Sequence, residues 1–588
     1  MDVGLSTGGG GAGRRTLPSD LFWTLAPLLV LAFYAWPMLG YMLPGYESLL
    51  GENYQPLRAL KFYASLGGET HKYGPMPNFV LLPVYGISLA YWWLEGTFTG
   101  PSGDFPYGLA HPLEQLSWLI FAGRLLFMLI GLGLYAWLLV ALRRMGVSRV
   151  AIALAFLTCV GTNYAAAYFL ANTRPDGLCY AFVAASMGVY VRILFDGPTL
   201  RRGVLLSLLA VFAISSKELA GPVYVLPYLG LGWMLVRRAR RTPSTAAEQL
   251  RIAGASIAAG VIGYLVLNVV YAPAAWWTRM SHWLGGPGTS KDVWMEGGTA
   301  ALDLATRISL IGNGFLDTLG PGGSILTLIA LGAVMIFRPR HSGMLILPFA
   351  SVLALGLWPL GFPGDRFYGV GTVTLVPVVG LGMDVLWRHL HGRGIRGLAI
   401  ATSVVLLLSN GVFATWAWHK LEGLPQRVIE RSLAAEVPRF EGTLNVLNIH
   451  PAVPGKSRLS DQGYRVDGRS LRELVEADPA TLPDRIYTDA GSLAFIEYAR
   501  QSPARAELFR SQGFEIDDWP GIEALGYRPL RVIRTGTPGW FPFDWMPAVE
   551  WRRRRSPVSV FERVTSARAR ANPDSMGAAV SGKRAVGP

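Results

Sequence analysis

The sequence has few charged residues and almost no cysteine, and each shortage excludes a class of protein. Charged residues make up only 16% of the 588 residues, and 51% are hydrophobic, whereas soluble domains carry roughly 25% charged residues. This composition and a positive mean hydropathy exclude an ordinary soluble enzyme, a disordered chain and a collagen-like chain. Two cysteines, Cys159 and Cys179, are too few for a disulfide framework or a cysteine-rich metal site. A polytopic membrane protein is the class that remains.

The basic residues lie between apolar runs and do not form a stripe with exposed aromatic residues. The net charge is +14, which could indicate a nucleic-acid partner, but its distribution is typical of membrane topology. We therefore expect a lipid bilayer as partner and no nucleic acid.

Eleven apolar runs are candidates for transmembrane helices, although a full crossing needs about 20 residues and some runs are shorter. They are Leu21–Leu43, Leu116–Leu142, Val150–Leu170, Gly177–Phe195, Gly203–Ser216, Leu219–Val236, Ile252–Thr278, Leu319–Phe337, Ser342–Gly364, Phe367–Met383 and Gly397–Trp418. The first is preceded by Arg14 and Arg15 and has no small-residue cleavage site, so we interpret it as a retained anchor.

Arginine and lysine placement predicts the orientation. With the N-terminus in the cytoplasm, the cytoplasmic segments hold 18 Lys and Arg against 5 Asp and Glu, and the outer segments hold 9 against 13. To preserve this asymmetry, Asn78–Leu94 must be a re-entrant or interfacial helix on the outer side. For the same reason, residues 203–236 must cross twice, as two short helices that meet near Lys217 and Glu218.

The composition changes after Trp418, where charges become frequent and apolar runs shorten. The sequence predicts strands at Leu444–Ile449, Arg485–Asp489, Leu530–Arg534 and Val558–Glu562, and helices at Leu471–Ala477 and Ala490–Arg500. The expected organisation is therefore a disordered cytoplasmic tail (1–19), a transmembrane domain (20–419), a periplasmic mixed α/β domain (420–565) and a disordered tail (566–588).

Polar residues on the predicted outer face form four groups. The first outer loop, 44–115, carries Glu47, Glu52, Lys72 and Tyr73, and the three later groups are Arg174-Pro-Asp176, Ser216-Lys217-Glu218 and Arg366-Phe-Tyr368. Acids held at a membrane surface cost free energy unless they are solvated or paired, so this concentration indicates a polar cavity. Simpler roles are open for each: Asp176 can complement a helix dipole, Lys217 and Glu218 can neutralise each other, and Arg366 can extend to the interface.

One reaction uses this set of carboxylates and cations. A sugar carried on a lipid phosphate is attacked at its anomeric carbon by an acceptor hydroxyl, a carboxylate takes the hydroxyl proton, and Lys or Arg stabilises the departing phosphate. The lipid tail of such a donor lies between membrane helices, which would place the site at the membrane surface.

Five short motifs resemble those of the C-type polytopic glycosyltransferases that use polyprenyl-phosphate sugars, a group that includes protein O-mannosyltransferases and aminoarabinose transferases. In chain order they are Gly51-Glu-Asn-Tyr54, Lys72-Tyr-Gly-Pro-Met-Pro77, Arg174-Pro-Asp176-Gly, Ser216-Lys-Glu218 and Arg366-Phe-Tyr368 with Pro377. The order of all five matches, as does a trailing α/β domain. Where the family usually has Asp before Glu, this chain has Gly51.

The resemblance implies roles for individual residues. Glu52, or Glu47 about one turn away, would be the general base, and Asp176 would orient the acceptor or the sugar. Substrate binding, including the donor phosphate, would fall to the remaining candidates, which are Lys72, Tyr73, Arg174, Lys217, Arg366 and Tyr368. It implies a polyprenyl-phosphate-linked sugar donor, a lipid, glycan or protein acceptor, and a bacterial inner-membrane location. Because Asp176 stands alone where metal-using relatives have paired acids, we assume no metal or other cofactor.

Two other functions fit the same sequence. A transporter or flippase of a lipid-linked substrate is one, although no internal duplication is evident and the charges gather near one surface. A non-catalytic assembly factor on the same fold is the other.

Overall fold

The computed structural model describes residues 18–40, 54–65, 74–103, 106–284, 303–339, 341–357, 365–415, 425–436, 440–446, 458–469, 471–489, 522–533 and 558–564. The two tails that the sequence predicts to be disordered lie outside these ranges, except for residues 18 and 19. The described residues before Leu421 form one compact unit, and those after Glu422 form another.

The first unit is a helical membrane bundle. Its helices are α1 (Pro18–Leu25), α2 (Pro27–Ala35), α3 (Tyr54–Ser65), α4 (Met76–Leu94), α5 (Pro112–Arg144), α6 (Arg149–Phe156), α7 (Tyr164–Leu170), α8 (Pro175–Asp196), α9 (Leu200–Ser216), α10 (Gly221–Arg241), α11 (Ala246–Tyr264), α12 (Pro273–Leu284), α13 (Leu304–Phe337), α14 (Ser342–Leu345), α15 (Leu347–Leu357), α16 (Asp365–His389) and α17 (Arg393–Ala414).

Seven helices in the described part are long and apolar enough to cross a membrane, and the bent pair α6–α7 would make an eighth. The seven are built on α5, α8, α10, α11, α13, α16 and α17. The polytopic fold is therefore confirmed, whereas the count of eleven stays a prediction. The runs near Leu21 and Ser342 are shorter as helices than as apolar sequence, since they form the apolar helices Pro27–Met38 and Ser342–Ala354. Helix α4 is not among the seven, and its re-entrant or interfacial placement stays a prediction.

Two helices break inside the bundle. The run predicted as one span at Val150–Leu170 bends by 73° between Arg149–Gly161 and Tyr164–Leu170. In α13 the backbone leaves the helical region at Gly320, with φ of 74°, directly before Pro321. That left-handed φ favours glycine, and the proline that follows has no N–H to donate.

A buried amide on α17 fills the break in α13. Asn410 Oδ1 accepts a hydrogen bond from the Gly323 N–H at 3.3 Å, and Asn410 Nδ2 donates to Thr162 Oγ1 at 2.6 Å. Polar side chains satisfy backbone groups that a broken helix leaves unpaired in an apolar surrounding.

The two ends of the long helix α5 contact different parts of the unit. Near its start, Gly123 packs so closely on Thr173 that a Cβ on the glycine would meet the threonine methyl. At its other end, Arg143 Nε lies 3.2 Å from the carboxylate of Asp20, which also pairs with Arg149. The hydrogen bond from Arg143 is the main reason that the pKa of Asp20 lies below its usual value.

The second unit contains a mixed five-stranded sheet in the order β2-β1-β3-β5-β4. The strands are β1 (Thr443–Val446), β2 (Arg465–Asp467), β3 (Arg485–Asp489), β4 (Tyr527–Ile533) and β5 (Val558–Arg563). Strand β1 pairs in parallel with β2 and β3, and β5 pairs antiparallel with β3 and β4. The helices α18 (Pro425–Ala434), α19 (Arg458–Asp461) and α20 (Leu471–Glu476) complete the described part of this unit.

Both faces of this sheet are covered by apolar side chains. One buried cluster includes Ile429, Leu444 and Tyr487, and the other includes Leu474, Ile486 and Tyr527. The predicted mixed α/β class is confirmed. All four predicted strands have a counterpart, whereas β2, α18 and α19 were missed, and the predicted helix Ala490–Arg500 lies outside the described residues.

Candidate functional site

The site is built around the first turn of α8. The Asn172 side-chain oxygen accepts a hydrogen bond from the Arg174 N–H at 2.9 Å and shapes the turn that leads into Pro175 and Asp176. A Cβ on Gly177 would overlap the Phe169 carbonyl oxygen, so only glycine lets α8 begin this close to the end of α7. This packing buries Asp176 completely.

Lys217 meets Asp176 from the end of α9. The lysine caps α9 in an extended conformation, and its Nζ forms an ion pair with Asp176 Oδ1. A second cation approaches the same carboxylate, because Arg174 Nε lies 3.7 Å from Asp176 Oδ2. Since a buried carboxylate is costly unless it is paired, the two cations account for a charge at this position.

A second ion pair lies next to the first in sequence and was missed by the sequence analysis. Arg279 Nε of α12 lies 3.1 Å from Glu218 Oε1, the residue after Lys217. Arg279 Nη2 also donates to Asn268 Oδ1 at 3.3 Å, and Asn268 Nδ2 donates to Ser215 Oγ at 2.7 Å. The signal available in the sequence was Asn268, a polar residue inside an apolar run, because such residues are rare and usually partnered.

The two pairs together form what we call the ion cluster: Arg174, Asp176, Lys217, Glu218 and Arg279. It contains three cations and two carboxylates, so its formal charge is positive. Arg279 and Lys217 have side chains only 6% exposed. Charges in such low-dielectric surroundings interact strongly with any charged group nearby.

Two glycines bring further chain segments to this end of the bundle. A Cβ on Gly74 would overlap the Ser215 carbonyl oxygen, so the part of the first predicted outer loop that contains Gly74 lies against the end of α9. A Cβ on Gly369 would likewise overlap the Tyr180 hydroxyl, which places the start of α16 against α8 one turn beyond Asp176.

The structure brings together three of the predicted site residues, Arg174, Asp176 and Lys217. Tyr368 is buried, and its hydroxyl donates to the Leu310 carbonyl of α13 at 3.0 Å. Arg366 lies in the first turn of α16, where only its backbone is described.

The other predicted site residues, Glu47, Glu52, Lys72 and Tyr73, lie outside the described residues, so the assignment of the general base stays a prediction. Within the described ranges, no three His, Cys, Asp or Glu side chains gather to hold a metal ion.

A further buried charge holds the end of the first apolar helix. Arg124 of α5 is fully buried, and its Nη1 donates to the carbonyls of Met38 at 2.9 Å and Leu39 at 3.2 Å. Because the apolar helix Pro27–Met38 ends at these residues, Arg124 holds the end of that helix.

No protein-family model and no curated protein matches the chain. Two solved membrane enzymes are similar to it in structure. ArnT from Cupriavidus metallidurans shares 14% identity at a TM-score of 0.41, covering 81% of this chain and 94% of ArnT. The Archaeoglobus fulgidus oligosaccharyltransferase, solved with a tethered acceptor peptide, shares 11% identity at a TM-score of 0.34, covering 83% and 72% respectively.

Both are glycosyltransferases of the class that the five sequence motifs resemble. Because both TM-scores lie below 0.5, we argue function from this chain's own side chains.

Proposed function

We propose that the protein is a membrane glycosyltransferase that moves a sugar from a polyprenyl-phosphate donor to an acceptor hydroxyl. The observation that carries the proposal is the ion cluster, a buried group of arginine, lysine and carboxylate side chains at one end of the bundle. Arginine and lysine are the side chains that bind phosphate groups. The position of the ion cluster at the ends of apolar helices suits a phosphate with a lipid tail.

In the proposed reaction the acceptor oxygen attacks the anomeric carbon while the bond from that carbon to the phosphate oxygen breaks. The bonding electrons leave with the phosphate, and the products are a glycoside and polyprenyl phosphate. The hydroxyl proton passes to a carboxylate, for which Glu52 is the first candidate and Glu47 the second. Lys217, Arg366 and Lys72 would stabilise the charge on the departing phosphate, and Arg279 joins them as a fourth cation.

Asp176 has a different proposed role. Its carboxylate is held between Lys217 and Arg174. Fixing the Lys217 ammonium, and through it the phosphate or sugar, suits its surroundings.

We propose further that the site faces the periplasm from the bacterial inner membrane. At the end of α8 opposite the ion cluster, Asp196 pairs with Arg192 of α8 and with Arg202 of α9. Arginines gather on the cytoplasmic side of membrane proteins. This distribution supports an outer-side location for the ion cluster.

The test is release of polyprenyl phosphate by the purified protein in liposomes that contain a polyprenyl-phosphate sugar. Wild-type protein should release it only when an acceptor is added, and Glu52→Gln should abolish release while inserting normally. Wild-type turnover in Glu52→Gln together with loss in Glu47→Gln would move the base to Glu47. No acceptor-dependent release with any lipid-linked sugar would leave the assembly-factor alternative.

The breaks at residues 161–164 and at Gly320 favour a second candidate, transport of a lipid-linked substrate. Interrupted helices are typical of transporters, whose sites lie near the bilayer midplane. Movement of the lipid-linked sugar between leaflets without phosphate release would support this candidate and contradict sugar transfer.

A further inference from the structure

The side chain of Asn163 closes the break between α6 and α7. Its Oδ1 accepts hydrogen bonds from the N–H groups of Ala165 at 2.8 Å and Ala166 at 3.2 Å. Its Nδ2 donates to the carbonyl of Cys159 at 3.2 Å and to Thr372 Oγ1 of α16 at 3.1 Å. Every donor and acceptor position of this fully buried amide is therefore used.

The bond to Thr372 is more than the helix cap requires. Capping α7 needs only an oxygen that accepts from the first N–H groups, which Ser, Thr or Asp would supply as well. An amide adds donors, and one of them reaches a residue 209 positions away on another helix. Asn therefore does what the other capping residues cannot: it caps α7 and also bonds α7 to α16.

Both helices that Asn163 joins lead directly to the candidate site. Helix α7 ends at Leu170, and the short connection that follows carries Arg174 and leads into the first turn of α8, which carries Asp176. Helix α16 begins at Asp365 and carries Arg366 in its first turn.

The Thr372 hydroxyl continues the connection toward the site. It accepts from Asn163 and donates to the Gly369 carbonyl at 3.0 Å, and Gly369 packs on Tyr180 of α8.

We infer that Asn163 is a positioning residue, which sets the separation between the turn that carries Asp176 and the turn that carries Arg366. The inference rests on the proposed sugar transfer. Misplacing a catalytic group by about 1 Å can cost about a hundredfold in rate. The hydrogen bond from Asn163 to Thr372 joins two segments of the site without contacting substrate. Its loss should therefore lower kcat more than it raises KM.

Thr372→Val tests the inference with a change of nearly constant shape. It removes the acceptor and leaves one N–H of Asn163 unpaired in the interior. We expect kcat for sugar transfer to fall about tenfold while KM for the lipid donor stays within about twofold. Thr372→Ser restores the hydroxyl and should restore kcat.

Thr374→Val is the matched control on the same helix. Thr374 is also buried, but its hydroxyl donates only to the Gly371 carbonyl of its own helix, at 2.7 Å. We expect Thr374→Val to keep wild-type kcat. Equal losses in the two valine variants, or a loss in Thr372→Val that serine does not restore, would overturn the inference.

Hydrogen exchange of the backbone gives a readout that does not depend on activity. In Thr372→Val, amides of residues 164–178 should exchange about threefold faster than in wild type and in Thr374→Val. Equal exchange in all three proteins would overturn the inference. If the wild-type protein transfers no sugar, the proposed function fails, and this comparison alone decides whether Asn163 holds the Asp176 turn against α16.

Discussion

The two ends of α8 carry the same kinds of ion pair in opposite surroundings. At one end the Asp176 carboxylate is 0% exposed and contacts Lys217 and Arg174, which are 6% and 12% exposed. At the other end Asp196 is 44% exposed and pairs with Arg192 at 3.3 Å and Arg202 at 2.8 Å.

The difference in burial indicates different roles for the two groups of ion pairs, one in membrane orientation and the other in function. An exposed pair contributes about 0 to 1 kcal/mol and can be lost cheaply. A buried pair carries a large desolvation cost that apolar side chains would avoid, so buried charges in a membrane protein are retained for function. This difference supports the proposed site at the Asp176 end and the proposed cytoplasmic orientation of the Asp196 end.

The largest expected effect is on activity. Asp176→Asn removes the charge that holds Lys217 and Arg174, and we expect acceptor-dependent release of polyprenyl phosphate to fall at least about a hundredfold. Asp196→Asn, the matched change at the exposed end, should stay within about twofold of wild type. Similar losses in the two variants would break the comparison.

The same two substitutions should differ in stability. Leaving Lys217 and Arg174 without their carboxylate should destabilise the protein by about 3 to 5 kcal/mol, whereas Asp196→Asn should cost less than about 1 kcal/mol. Unfolding by denaturant in detergent micelles measures both. Should Asp176→Asn prove as stable as Asp196→Asn, the buried pair would be neutral and its retention unexplained.

A smaller effect is expected at Gly74, which packs on the end of α9 two residues before Lys217. Gly74→Ala places a methyl group against the Ser215 carbonyl, so the loop must move away from α9. We expect about a tenfold loss of transfer. Gly133→Ala, in the middle of α5 with open space around it, is the control and should be silent. Wild-type activity in Gly74→Ala would show that this loop does not contribute to the site.

The smallest effect concerns the ion pairs that Asp20 forms with Arg143 and Arg149. Because Arg143 and Arg149 lower the pKa of Asp20 from its usual value of 3.8, this pair stabilises the folded protein while Asp20 is ionised. The contribution is fully present above pH 3.8 and is lost as the pH falls through the lowered value. At pH 7 the thermal unfolding midpoint of Asp20→Asn should therefore lie slightly below that of wild type. The difference should shrink as the pH falls through the lowered pKa, and a difference independent of pH would refute the assignment.

Local patterns in the sequence anticipated much of the site. Arg174-Pro-Asp176 opens a helix, and Lys217 with Glu218 separates two apolar runs, so their places at helix ends follow from turn and capping chemistry. The strand Arg485–Asp489 was located correctly for a similar reason, because the alternation of polar and apolar residues and the residues that flank the strand are read from neighbouring positions in the sequence.

Other features depended on neighbours that no local pattern reveals. The bend at Asn163 lies inside a run that is apolar from Val150 to Leu170, so hydropathy alone predicted one straight helix. The partner of Glu218 is Arg279, 61 positions away on another helix, and no local pattern links the two residues. The role of Gly320 is visible only beside Asn410, which fills the gap that the break creates.

The sequence by itself determined that this chain is a membrane protein and which of its segments can enter the bilayer. The reason is that the free energy of moving a segment into hydrocarbon depends on that segment's own side chains. Only the tertiary structure decided that Asp176 faces Lys217 and that Asn163 reaches Thr372. Those pairings are set by how helices distant in sequence pack and bend against one another, and buried polar groups accept only the partners that this packing presents.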